Sequence, residues 1–127
     1  MTQASRKTGQ TGEELAKRIL SMKGFRIEAV NWRMGVLGEI DLIAYHPQSS
    51  ILAFVEVKTR RTAQYGAPQE AVNPRKQAQL ADLAEAYLAT HPQAEHVRMR
   101  FDVVGIFYPG QGKPAQIEHI EEAFQLF

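Results

Sequence analysis

Two short runs of this sequence hold groups that can do chemistry. "GEIDLIA" (38–44) carries Glu39 and Asp41, and "FVEVKTR" (54–60) carries Glu56 and Lys58. Both runs otherwise read as the inside of a β-sheet. Taking a carboxylate or an ammonium out of water costs several kcal/mol per ion unless something compensates. Carboxylates gathered beside an amine are the groups that grip a hard divalent cation, which keeps part of its water shell. Water on such an ion is activated for hydrolysis. Whether the four groups meet depends on the elements that carry them.

The local signals give an order of elements. "TGEE" fits a capping box, with Thr11 as N-cap and Glu14 three positions on, so a helix is expected to start after Thr11. Leu15, Ala16, Ile19, Leu20 and Met22 form its apolar stripe, and Gly24 stops it. "FRIEAVNWR", "LGEIDLIAYH" and "ILAFVEVKTR" read as three strands. A second helix starts at Asn73 with Pro74 in its first position, and its stripe is Leu80, Leu83, Ala84, Tyr87 and Leu88. "HVRMRFDVVGIFY" is a long fourth strand, "AQIEHI" a short fifth, and "EEAFQLF" a weak tail. The class is therefore α/β or α+β, with an α-β-β-β-α-β core and a mixed sheet. Residues 1–10 are expected to be a flexible segment and 11–127 a single domain.

An antiparallel hairpin centred between Gln48 and Ser49 makes the decisive pairing. Tyr45 then opposes Leu52, Ile43 opposes Phe54, Asp41 opposes Glu56 and Glu39 opposes Lys58, all on one sheet face. Ile40, Leu42, Ala44, Ile51, Ala53, Val55 and Val57 fall on the other, wholly apolar face, which must bury against a helix. Opposed like charges destabilise a sheet, so Asp41 facing Glu56 calls for a cation. Lys58 supplies one positive charge, and Mg²⁺ (or Mn²⁺) would supply more. A slip of one residue would send these groups to different faces. Glu13 lies near the edge of the first helix's apolar stripe and can look toward the same end of the sheet. A helix-start acid is also favoured by the dipole alone.

Composition bounds the rest. The chain has 127 residues, 44% hydrophobic and 23% charged, which suits one globular domain. With no cysteine there is neither a disulfide nor a thiolate zinc site. The polar start lacks the apolar core of a signal peptide, and no apolar run approaches the roughly 20 residues of a membrane span. The expected home is cytoplasmic, with no membrane partner. A net charge of +1 gives no argument for nucleic acid, but Arg60 and Arg61 follow the acidic strand, and Arg75 and Lys76 open the second helix. Such clusters are also common on ordinary solvated surfaces. Asp102 stands two residues from Arg100, which predicts a structural pair. The four histidines show no ligand spacing, and Trp32 reads as a packing residue.

"GEIDLIA" followed by "FVEVKTR", with "GEELA" upstream and "PRKQAQL" and "RFDVVGI" downstream, resembles the PD-(D/E)XK nuclease superfamily. Within it the chain is similar to the bacterial YraN family of endonuclease-like proteins, and through that to Holliday-junction resolvases. The resemblance implies a restriction-endonuclease-like fold. It implies Asp41, Glu56 and Lys58 as catalytic residues, and metal held by Asp41, Glu56, Glu13 and the carbonyl of Val57. Lys76 matches a basic residue at the start of the following helix. Ile40 stands where the motif's name has proline. Arg60, Arg61, Arg75 and Lys76 would hold phosphates, with Tyr65 and Gly66 in a loop over the strand. The expected partner is DNA, branched or single-stranded, held without sequence reading. A homodimer is expected only by analogy with resolvases. The competing readings are a structural salt-bridge network for Asp41, Glu56 and Lys58, with the chain serving as a non-catalytic nucleic-acid-binding module or a protein-interaction domain on the same scaffold.

Overall fold

In the computed structural model, which describes residues 3–62, 67–92 and 96–125, the elements follow the order α-β-β-β-α-β with a fifth strand added. They are α1 (Gln3–Met22), β1 (Arg26–Arg33), β2 (Glu39–His46), β3 (Ile51–Arg60), α2 (Pro74–Thr90), β4 (Arg98–Phe107) and β5 (Gln116–Phe124). The sheet order is β1-β2-β3-β4-β5. β3 and β4 are parallel, joined by the crossover through α2, and the other neighbours are antiparallel. This is the mixed α+β class expected from the sequence.

Each helix covers one face of the sheet. Ala16 and Leu20 of α1 pack on Leu42, Ala44, Ala53, Val55, Val104 and Ile106. Leu80, Leu83, Ala84 and Tyr87 of α2 pack on Ile43, Leu52, Phe54, Phe101 and Val103. Burial of each Val, Leu, Ile or Phe side chain among these contributes about 1.5–3 kcal/mol, and each Ala less. Trp32 packs edge-on to Tyr87 at 5.4 Å, as a packing residue should. The helix ends follow their local signals. Gly24, at φ +95°, closes α1 with bonds from Gly24 N–H to Ser21 C=O and from Phe25 N–H to Leu20 C=O, a Schellman end. The Asn73 side chain caps α2 by accepting from Lys76 N–H at 2.9 Å.

Four expectations need correction. α1 begins at Gln3, so Thr11 stands inside the helix and does not cap it. Gly12 lets the helix approach β3, since a Cβ there would lie 2.6 Å from Thr59 Oγ1. Met22 is 83% exposed, because at 100° per residue it points about 120° away from Ala16. β5 runs through Glu121, Glu122, Ala123 and Phe124, crossing a register shift opposite Phe101–Val103, and Phe124 stacks on Phe101. Ile40 packs with the α2-side cluster and not with Leu42.

His119 also has a role that its spacing did not announce. It approaches Asp102 Oδ2 at 2.7 Å, while Arg100 donates to both oxygens of Asp102 at 2.8 and 2.9 Å. The N–H of Glu122 adds a fourth bond. The predicted Arg100–Asp102 pair is thus the centre of a larger network. Among the described residues no helix is long and apolar enough to cross a membrane.

Candidate active site

The β2–β3 hairpin has the expected register, with Tyr45 opposite Leu52 and Ile43 opposite Phe54. The ladder stops at Leu42 and Val55, one position short of Asp41 and Glu56. β3 nevertheless continues beside β4 as far as Arg60 and Phe107. Past Val55, the edge of β3 that faces β2 is therefore open. Asp41 fills part of that opening with its side chain, accepting from Val57 N–H at 2.8 Å. In a strand, the N–H and C=O of one residue face the same neighbour. The Val57 carbonyl accordingly points to the same vacated edge.

Glu56 is 5% exposed and shares this end of the sheet with Asp41. The two carboxyls interact directly. Burial above all, then the hydrogen bond and charge of Glu56, push the Asp41 pKa up to about 7, and Glu39 adds to the effect. The Val57 N–H pulls the other way but does not prevail. Two cations answer Glu56 on its own side. Lys58 Nζ lies 3.7 Å from Oε2 and Lys76 Nζ lies 3.5 Å from the same oxygen. Lys76 arrives there because the Asn73 cap aims the first turn of α2 at the site.

Glu39 does not reach Lys58, because the ladder opens before they can face each other. It pairs instead with Arg33 at 2.8 Å across β1. Glu13 is drawn in by a residue that the sequence did not single out. With its amide nitrogen turned toward the carboxylates, Asn31 donates to Glu13 Oε1 and Glu39 Oε1, each at 3.2 Å. Asn31 takes φ 51°, a conformation that Asn tolerates better than most residues. A polar, αL-tolerant residue between Val30 and Trp32 was the available signal.

The expected phosphate contacts spread over two places. Arg60 continues β3 and donates to the Ala67 carbonyl at 3.3 Å, while Arg61 is exposed beside it. Arg75 and Lys76 line an open cleft of about 390 Å³ with Asn73 and Gln79. Tyr65 and Gly66 lie outside the described residues.

Among the described residues, no three acidic or histidine side chains stand close enough to form a closed ligand set. The donor chemistry does fit a cation of the Mg²⁺ type, which takes one or two carboxylates and retains several waters. Asp41, Glu56 and the Val57 carbonyl could make such a donor set, with Glu13 and Glu39 bonded to Asn31 nearby. The raised Asp41 pKa reflects burial first and the adjoining Glu56 carboxyl second.

The molecule is thus a mixed α+β fold whose sheet opens between its second and third strands over two adjoining carboxyls and two lysines. Residues 12–106 match the uncharacterised protein family UPF0102. A UPF0102 protein of Pelobacter propionicus is 43% identical over 122 residues, spanning 96% of this chain and 85% of its own. That of Moorella thermoacetica is 40% identical over 124 residues, 98% of this chain and 100% of its own. One from Rhodococcus jostii is 46% identical over 117 residues, 91% of this chain and 94% of its own. The chain belongs to the UPF0102 family, the YraN-like family that its motifs resemble.

Proposed function

We propose that this protein is a Mg²⁺- or Mn²⁺-dependent DNA endonuclease of the PD-(D/E)XK kind, selective for DNA structure and not for sequence. The observation that carries this reading is the opening of the β2–β3 ladder. It leaves Asp41 bonded to Val57 N–H beside buried Glu56, with Lys58 and Lys76 within 3.7 Å.

Asp41, Glu56 and the Val57 carbonyl would hold the ion, with Glu13 on its outer side. When bound, a divalent ion stabilises charge on a phosphate and makes a bound water acidic enough to attack it. Lys58 has two tasks in this scheme: it orients the attacking water and offsets negative charge on the phosphoryl oxygens. Lys76 keeps Glu56 in place and adds positive potential where the scissile phosphate would sit. Arg60, Arg61 and Arg75 contact flanking phosphates and so position the strand without reading bases. Branched or single-stranded DNA fits this scheme, since none of these elements is a base-reading helix.

The test is cleavage of a panel of single-stranded, flapped and four-way-junction DNAs with Mg²⁺ or Mn²⁺ present. Asp41→Ala and Glu56→Ala should each lose at least about 10²-fold in rate while retaining the far-UV spectrum of the folded protein. Undiminished cleavage in either variant would remove this centre from consideration.

One observation favours a second reading. Glu56 already has two lysines within 3.7 Å, which is how a purely structural ion-pair cluster would look. On that reading the protein binds nucleic acid without cutting it. Salt-dependent DNA binding, weakened by Arg60→Ala and Arg61→Ala with no cleavage under any metal, would select it.

A further inference from the structure

The α2-side face of the sheet continues past the site toward β5. Lys58 of β3, Gly105 of β4 and Glu118 of β5 lie side by side in one row, and Arg60, Phe107 and Gln116 form the next. Adjacent strands are about 4.8 Å apart, so each row spans about 10 Å. Gly105 has no side chain, and the Pro68 ring packs in the space its Cβ would need, so proline forms part of the floor. The result is an open hollow of about 380 Å³ whose lining includes all six of these residues and Pro68. It begins at the proposed catalytic lysine and ends at the β5 edge.

The lining is graded along its length. Lys58 and Arg60 make the near end cationic. The middle offers the apolar Pro68 ring and the half-buried aromatic ring of Phe107. The far end presents Gln116 and Glu118, and the Glu118 carboxylate makes no ion pair or hydrogen bond among the described residues. This sequence of surfaces matches the parts of a nucleotide in order: phosphate, flat apolar base, and a base edge rich in hydrogen-bond donors. Bases stack on aromatic and apolar faces with little sequence preference. A carboxylate at the edge adds one, because it accepts only. Guanine offers it two adjacent donors, N1–H and N2–H, whereas thymine offers a single imino N–H.

We propose that this hollow is a subsite for one unpaired nucleotide next to the scissile phosphate, with Glu118 favouring guanine. The inference rests on the nuclease reading and amends it in one respect: the phosphate contacts stay blind to sequence, whereas this one unpaired position next to the scissile phosphate prefers guanine. Duplex DNA keeps its bases stacked and would have to release one, so ends, flaps and branch points are preferred.

Nucleotide binding can be read without cleavage. The full-length protein, metal-free, is titrated with 5′-dGMP, 5′-dAMP, 5′-dCMP, 5′-dTMP and inorganic phosphate while backbone amide resonances are followed. The expected result is a saturable shift of Gly105 and Phe107 with dGMP, at about tenfold higher affinity than with dTMP. Glu118→Ala, an exposed position on β5, should erase that preference and leave the phosphate response intact. Asp41→Asn should bind dGMP as the wild type does, which separates this subsite from the metal centre. Equal shifts from phosphate and every nucleotide would overturn the base-binding claim, as would a guanine preference untouched by Glu118→Ala. Cleavage of DNA by a protein that ignores all four mononucleotides would sink the subsite and leave the proposed activity standing.

Discussion

Asp102 and Asp41 are both acids set into strands of one sheet, and their surroundings drive them in opposite directions. Asp102 is 1% exposed, yet its pKa is lowered. Burial alone would raise it. The hydrogen bonds from His119, Arg100 and the Glu122 N–H outweigh burial together with the Arg100 charge. Asp41 has one N–H donor against burial and the neighbouring Glu56, and its pKa rises to about 7. In the first region both oxygens of the acid are met by hydrogen-bond donors. In the second, burial and a neighbouring carboxyl outweigh a single N–H at the open edge of a strand. Perturbed carboxyls that the fold does not satisfy are the ones to suspect of function.

The strongest way to break this comparison is Asp102→Ala. It strands Arg100, which is 8% exposed, without its bidentate partner. Removing one member of a buried ion pair costs about 3–5 kcal/mol, so the urea midpoint should fall steeply. A change below about 1 kcal/mol would mean the network adds little to the fold.

Asp41→Asn should act with the opposite sign. The folded pKa of Asp41 lies above its ordinary 3.8, so its contribution to stability is complete below about pH 4. That contribution is lost as pH rises through about 7. Wild type therefore carries a penalty at pH 8 that the amide removes while still accepting from Val57 N–H. The rise from 3.8 to about 7 sets a ceiling of about 4 kcal/mol, and solvent at this half-buried site reduces the expected gain to about 1–3 kcal/mol. The gain should vanish at pH 4. Asp102 has a lowered pKa, so its stability is present at neutral pH and lost as pH falls through the folded value. A variant that is less stable than wild type at pH 8 would contradict the account of Asp41.

Divalent ions sharpen the contrast further. Millimolar Mg²⁺ or Mn²⁺ at pH 8 should raise Tm by about 2–5 °C in wild type. Asp41→Asn should lose that increment, and a conservative change on β5, His119→Gln, should keep it. The smallest effect belongs to Arg33→Ala. Arg33 is 74% exposed and its pair with Glu39 sits at the rim, so stability should move by no more than about 0.5 kcal/mol.

Much of the site was legible because a hairpin leaves little freedom. The apolar alternation and a short polar turn set Ile43 opposite Phe54, and that register carries Asp41 to the neighbourhood of Glu56 two residues further on. The helix that positions Lys76 was equally readable from Asn73 and Pro74. Other features depend on contacts far apart in the chain. Whether the ladder closes or opens at Asp41 turns on competition between Val57 N–H and a strand partner. Ile40 packs on the α2 side, a placement that strand alternation alone does not give. Asn31 bridges Glu13 and Glu39 only because α1 crosses β1 and β2 at that height. His119 reaches Asp102 through the β4–β5 pairing, 17 residues on, and no spacing rule anticipates it.

Alternation, turn chemistry and capping are local, so the order of strands and helices, the hairpin register and the identity of the acidic strand end were determined by the amino acids themselves. The ionisation of those acids was not. It depends on how many donors, cations and layers of protein surround each carboxyl. Those surroundings are assembled only when α1, α2 and β5 close on the sheet.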